Sequence, residues 1–209
     1  GNTTKGDNWN CSLRSYDGTD YSNWINSSTL TITNTAPTTT SVNLTSNDAQ
    51  NRTNGTLTGT WNFNDDDTTD TEQNNETKWY RNGTEQTNLA NLTSITPENT
   101  TKGEEWIFSI RVNDGTEWSN FTNSSTLTIT NTAPTNPSTN INSTDGTNQT
   151  NQNLNCFATI TDDDSTDKLN ITIKWYKNGT LNITTDFNNS YTNGINFNTE
   201  LGSGNTTKG

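Results

Sequence analysis

Histidine and methionine are absent from this 209-residue chain. Without an imidazole, histidine-based acid–base catalysis and histidine metal ligation are excluded. Apolar residues make up only 24% of the sequence, well below the globular average of about 45–50% with glycine counted. No run approaches the ~18 apolar residues of a membrane-spanning helix, and no signal-peptide pattern is visible. Lysine and arginine number 11 against 23 acidic residues, a net charge of −12. They form no cluster of five or more, so the electrostatic footprint of a nucleic-acid binder is missing. No helical apolar period of useful length is found either.

What is present is threonine, asparagine and a set of aromatics that includes seven tryptophans. Disordered chains are poor in aromatics, and here the apolar residues fall in short alternating runs. Trp106, Phe108, Ile110 and Val112 share one parity, as do Leu57, Trp61 and Phe63. Leu127 and Ile129 form another such run, and Leu169, Ile171, Ile173 and Trp175 a fourth. Period-two alternation of this kind predicts half-buried strands. The expected fold is all-β, built from thin-cored domains.

The sequence repeats. "NTTKGDNWNCSLRSYDGTDYSNWINSSTLTITNTAPT" runs from Asn2, and "NTTKGEEWIFSIRVNDGTEWSNFTNSSTLTITNTAPT" from Asn99, an offset of 97 residues. "KWYRNGT" at Lys78 answers "KWYKNGT" at Lys174, and "LTGTWNFNDDD" at Leu57 answers "LNCFATITDDD" at Leu154. One unit of about 100 residues with about seven short strands predicts a β-sandwich. Residues 37–134 hold a complete unit. Residues 1–36 hold the closing strands F and G of one, and residues 135–209 the opening strands A–E of another. The segment GNTTKG both opens and closes the chain, so the halves join into a second whole unit. Two arrangements are open: a tandem array cut in mid-domain, which the identical overlap favours, or separate copies that exchange strands.

In the joined unit Cys156, Trp175 and Cys11 of the following copy come in the order Cys…Trp…Cys, the pattern of strands B, C and F of an immunoglobulin sandwich. In the complete unit the aligned positions are Gly59 and Phe108, where a ring beside a glycine fills the space of a disulfide. The whole string, from "NTAPT" through "KWYKNG" to "STLTITNTAP", resembles the tandem immunoglobulin-like repeats of large bacterial and archaeal surface proteins. The resemblance covers essentially the whole chain. It implies a disulfide between Cys156 and Cys11 of the next copy, and an oxidising, extracellular setting. The family's aspartate-rich loop often carries a glycine; here it reads "DDDTTD" and "DDDSTD". Asp65, Asp66, Asp67 and Asp70, with Asp162, Asp163, Asp164 and Asp167, are candidate Ca²⁺ ligands, the alternative being a solvated loop.

Sequons are dense: Asn2, Asn10, Asn26, Asn43, Asn51, Asn54, Asn75, Asn82, Asn91, Asn99, Asn120, Asn123, Asn142, Asn148, Asn170, Asn178, Asn182, Asn188 and Asn205 each precede X-Ser/Thr. Asn10, Asn43, Asn142, Asn170 and Asn182 alternate with apolar neighbours and should face solvent. Asn26 and Asn123 share parity with Leu30 and Leu127, so a bulge or loop must intervene there or they are unmodified. Tyr21 and Trp118 have the parity opposite to Trp24 and Phe121, which are expected to point inward. Tyr21 and Trp118 are thus expected to face out as a contact or sugar-stacking surface, or to cap their sandwich ends.

The expected protein is therefore no enzyme. It is a structural subunit of an extracellular, heavily N-glycosylated filament or sheath, with identical copies end to end. It needs no cofactor beyond covalent glycans and a possible Ca²⁺, and it has no nucleic-acid or membrane partner. The alternative is an adhesin or carbohydrate-binding stalk.

Overall fold

The structure, a computed structural model, describes residues 3–205; Asn2 of the sequon set lies outside them. Strands follow in order: β1 (Asn8–Trp9), β2 (Ser12–Leu13), β3 (Ile25–Asn26), β4 (Leu30–Thr31), β5 (Thr38–Ser46), β6 (Leu57–Asn64), β7 (Asn74–Arg81), β8 (Thr84–Glu85), β9 (Ser94–Ile95), β10 (Glu105–Asn113), β11 (Thr122–Asn123) and β12 (Leu127–Thr128). Then come β13 (Asn140–Ser143), β14 (Leu154–Thr159), β15 (Lys168–Lys177), β16 (Thr180–Thr192) and β17 (Asn196–Leu201). Among the described residues the only helical pieces are three-residue 3₁₀ turns.

The chain gathers into two compact units. One holds the residues up to Asn47, Thr56–Asn99 and Glu104–Thr128; the other holds Asp48–Gly55, Thr100–Gly103 and Ile129 onward. In the first, β5, β6 and β9 form one antiparallel sheet, while β8, β7 and β10, with β11 and β12 on the far edge of β10, form a second. The sheets face each other as in a β-sandwich. Trp79, Trp106, Phe108, Ile110 and Val112 are fully buried, as the alternation requires. Trp79 stands edge-on to Phe108 at 5.2 Å and to Trp106 at 6.2 Å, and Trp61 stacks on Phe108 at 6.0 Å. Its indole N–H donates to the Leu92 carbonyl at 2.9 Å, so the ring buries no unpaired donor. A β-carbon added at Gly59 would lie 2.5 Å from three ring carbons of Phe108.

The β7–β8 hairpin turns through Asn82 (φ 49°) and Gly83 (φ 77°), both left-handed, the geometry that selects Asn-Gly. Asn178 and Gly179 repeat it between β15 and β16.

In the second unit β13, β14 and β17 form one sheet, and β15 pairs with β16 in another. Phe197 is buried, edge-on to Phe187 at 5.1 Å and Tyr191 at 5.4 Å.

The Asn123 parity conflict resolves as a break. Residues 124–126 separate β11 from β12, and buried Ser124 spans the gap: its hydroxyl accepts the Phe108 N–H at 3.1 Å and its N–H donates to the Phe108 carbonyl at 2.8 Å. Ser27 does the same for Cys11, and Asn26 and Asn123 are both exposed. One expectation fails. Phe121 does not point inward: the Arg111 guanidinium lies 4.9 Å from its ring and 4.8 Å from that of Trp118, so both aromatics share an outer face. Trp24 is likewise exposed, with Arg14 over its ring and that of Tyr21. The break after Ser119 disrupts the strand parity on which the inward assignment relied.

Candidate functional site

The aspartate-rich loops each organise a network of polar contacts, and the network occurs twice. In the first compact unit the Asp65 carboxylate accepts the Asp67 N–H at 2.8 Å, and the Asp70 N–H closes the loop onto the Asp67 carbonyl at 2.8 Å. Aspartate bonding its own backbone two residues on is an Asx turn. The loop so fixed presents two carboxylates outward. Asp67 accepts the Thr35 N–H at 2.8 Å, and Asp70 pairs with the Lys5 ammonium. Lys5 also donates to the Asn34 side-chain oxygen at 3.0 Å. The Asn34 amide then donates to Asp114 at 3.0 Å and Glu117 at 3.1 Å.

In the second compact unit the same residues recur. The Asp162 carboxylate accepts the Asp164 N–H at 2.9 Å, and Asp167 closes on the Asp164 carbonyl at 2.9 Å. Asp164 accepts the Thr132 N–H at 2.8 Å, Asp167 pairs with Lys102, and Lys102 donates to Asn131 at 3.0 Å. The D-x-D-x-x-D spacing thus has a structural reason. The first aspartate shapes the turn, the third holds the linker backbone, and the sixth holds the lysine of "NTTKG". Asp66 and Asp163 are exposed and take no part in these contacts.

Hydrogen bonding to Asp70 and Asp167 raises the pKa of Lys5 and Lys102 above the ordinary 10.5. Burial works against the ionised form of Asp114, but hydrogen bonds from the Glu117 N–H, Asn34 and the Thr116 N–H, with the Lys5 charge, outweigh it and hold the carboxyl below 3.8. The signs follow from linkage. The lysine contribution is complete below 10.5 and is lost as pH rises past the raised value. The Asp114 contribution is complete above 3.8 and is lost as pH falls through the lowered one.

Asp65, Asp67 and Asp70 bring one carboxylate oxygen each within 4.8 Å of the others. Asp162, Asp164 and Asp167 do not make such a group; Asp67 and Asp70 already serve Thr35 and Lys5. Asp65 keeps one buried oxygen without a partner, so a cation has a foothold in the first loop. Three carboxylates remain well short of the six to eight oxygens Ca²⁺ takes. Of the described sequon asparagines, Asn51 and Asn99 are half-exposed and the rest exposed. Five of them, Asn51, Asn82, Asn91, Asn148 and Asn178, stand at positive φ. Cys11 is exposed and Cys156 half-buried, both as free thiols.

Composition and motif searching missed Lys5, Asn34, Thr35, Lys102, Asn131 and Thr132. Their signal was in plain view: "NTTKG" and "NTAPT" recur unchanged beside each acidic loop, where a turn alone would tolerate variation.

The network carries a prediction. Asp164 is 5% exposed, so Asp164→Ala removes the acceptor of a buried amide. Exchange of the Thr132 N–H should then accelerate at least about tenfold, while the amides of β10 keep their protection. Unchanged Thr132 exchange would mean the contact does not persist in solution.

No protein-family model and no curated protein matches the sequence.

Proposed function

We propose that this chain is a structural repeat of an extracellular, N-glycosylated filament or sheath, made of immunoglobulin-like sandwiches joined end to end. One observation carries the reading: the same Lys–Asn–Thr–Asp network occurs in both compact units. Recurrence of the same clasp is what a repeating structural protein requires, and unrelated surface loops have no use for it. Ala36 and Ala133 precede prolines, which restricts their backbone to extended forms, and Pro37 is fully buried. Both favour a stiff connection.

The exposed sequons support the glycosylated part of the reading. Glycans on turn asparagines would cover long polar strand edges that otherwise invite association. Ca²⁺ is the second candidate occupant of the first clasp, where the orphaned oxygen of Asp65 lies. An adhesive or sugar-binding role has Trp118 in its favour, 41% exposed. However, the Arg111 guanidinium already takes part of that ring, and the Asn120 sequon lies two residues away, so we favour the structural role.

The test is the mass of the protein isolated from its native source. The polypeptide, 23.1 kDa for these 209 residues, should carry a heterogeneous excess that enzymatic or chemical deglycosylation removes, with the modified peptides mapping to the sequons above. A native mass equal to that of the bare polypeptide would overturn the glycoprotein reading.

A further inference from the structure

Residues 7–33 resemble residues 104–130 strand for strand, but their surroundings differ sharply. Trp106, Ile110 and Leu127 are 0%, 0% and 8% exposed, while the aligned Trp9, Leu13 and Leu30 are 46%, 70% and 65% exposed. The continuous β10 is matched by two short fragments, β1 and β2. The difference is one neighbour. β10 is paired along its length with β7 and faces β6, whereas among the described residues β1 and β2 pair only with β4 and β3. In the second unit, β15 is the sequence counterpart of β7. It pairs with β16 on one edge, as β7 pairs with β8, and among the described residues its other edge carries no strand.

We propose that residues 7–33 of a neighbouring copy of this sequence seat on the open edge of β15 and complete the sandwich begun by residues 135–205. This rests on the end-to-end reading above and specifies its interface. The complete unit supplies the register. Trp106 opposes Arg81, Phe108 opposes Trp79 and Ile110 opposes Thr77. By repeat equivalence Trp9 opposes Lys177, Cys11 opposes Trp175 and Leu13 opposes Ile173.

Two features that this pairing did not use agree with it. The first is the thiols. A β-carbon at Gly59 falls 2.5 Å from the Cγ of Phe108, which is one bond of about 1.5 Å from that residue's own β-carbon. The two β-carbons are thus at most about 4 Å apart, no farther than the roughly 3.5–4.5 Å that a disulfide spans. Cys156 occupies the Gly59 position and Cys11 the Phe108 position. Docking therefore brings the two thiols into bonding range. Oxidation forms the S–S bond, with two protons and two electrons passing to a thiol oxidant such as oxidised glutathione. The second feature is the clasp. Asn34 donates to Asp114 and Glu117, but among the described residues Asn131 donates only to the Thr132 carbonyl. The counterparts of Asp114 and Glu117 are Asp17 and Asp20, which lie in the docking segment. Seating it delivers both carboxylates to Asn131 and finishes the second clasp.

The experiment uses the 209-residue chain, purified under reducing conditions and then oxidised with glutathione disulfide at a concentration series. Expected is a non-reducing gel ladder at multiples of 23.1 kDa that collapses on reduction, and one cross-linked peptide pair, Cys11 with Cys156. Light scattering before oxidation should already show association, and Leu13→Asp should abolish it. Tryptophan fluorescence of the central sandwich serves as the folding control for that variant. A monodisperse monomer with two free thiols overturns the proposal, and so does a Cys11–Cys156 bond within a monomer. Either result would leave the glycan masses, and hence the extracellular reading, as a separate matter.

Discussion

Trp79→Ala should unfold the central sandwich, or leave it barely stable. The indole is fully buried between the rings of Trp106 and Phe108, and its N–H is bonded to the Leu92 carbonyl. Truncating a ring in such a place costs about 3–5 kcal/mol. A domain of this size holds only about 5–15 kcal/mol in all, and this one draws on a sequence with 24% apolar residues. There is no surplus of aliphatic side chains to close the cavity. The melting transition of the central sandwich should fall by more than about 12 °C, since 1 kcal/mol shifts a domain of this size by roughly 4–8 °C. Near-ultraviolet dichroism should fade with it. A shift under about 4 °C would mean that the core lies elsewhere.

The second large effect is a pair. Gly59→Cys alone drives its β-carbon into the Phe108 ring, 2.5 Å away. The ring cannot retreat, because Trp61 and Trp79 flank it. Overpacking of this kind costs about 1–3 kcal/mol or more. Phe108→Cys alone leaves a cavity and costs a similar or larger amount. Together the two substitutions reproduce the residues found at 156 and 11, and the double variant should close a disulfide in oxidising buffer. Its stability should exceed that of either single variant, because the clash and the cavity cancel and the cross-link restrains the unfolded chain. Thiol titration checks it: two free thiols in the folded double variant would break the equivalence between the Gly59–Phe108 contact and the cysteine pair.

The strands of the complete unit were legible because alternation survives even in an apolar-poor chain. Trp106 to Val112 read inward and are inward. The close approach of Gly59 and Phe108 was legible too, since the repeat aligns a small and a large residue where two cysteines stand. What parity could not give was the course of residues 118–128. There Ser119 and Ser124 replace strand hydrogen bonds with side-chain ones, as Ser119 does for the Val112 N–H at 3.0 Å. Each break resets the phase, so Phe121 came out on the wrong face. The clasp escaped for another reason. Each of its residues is ordinary alone, and an acidic loop invites a metal reading before a lysine one. Only the fold shows that Lys5 and Lys102 reach loops 65 residues further on.

The central claim is that residues 7–33 are sandwich strands awaiting their partner in a neighbouring copy. Hydrogen exchange on the assembled native protein tests it most directly. If the claim holds, the amides of residues 9–15 exchange as slowly as those of residues 106–112, in one protected block. Exchange of residues 9–15 at the rate of an open loop, in material that is demonstrably assembled, would contradict it.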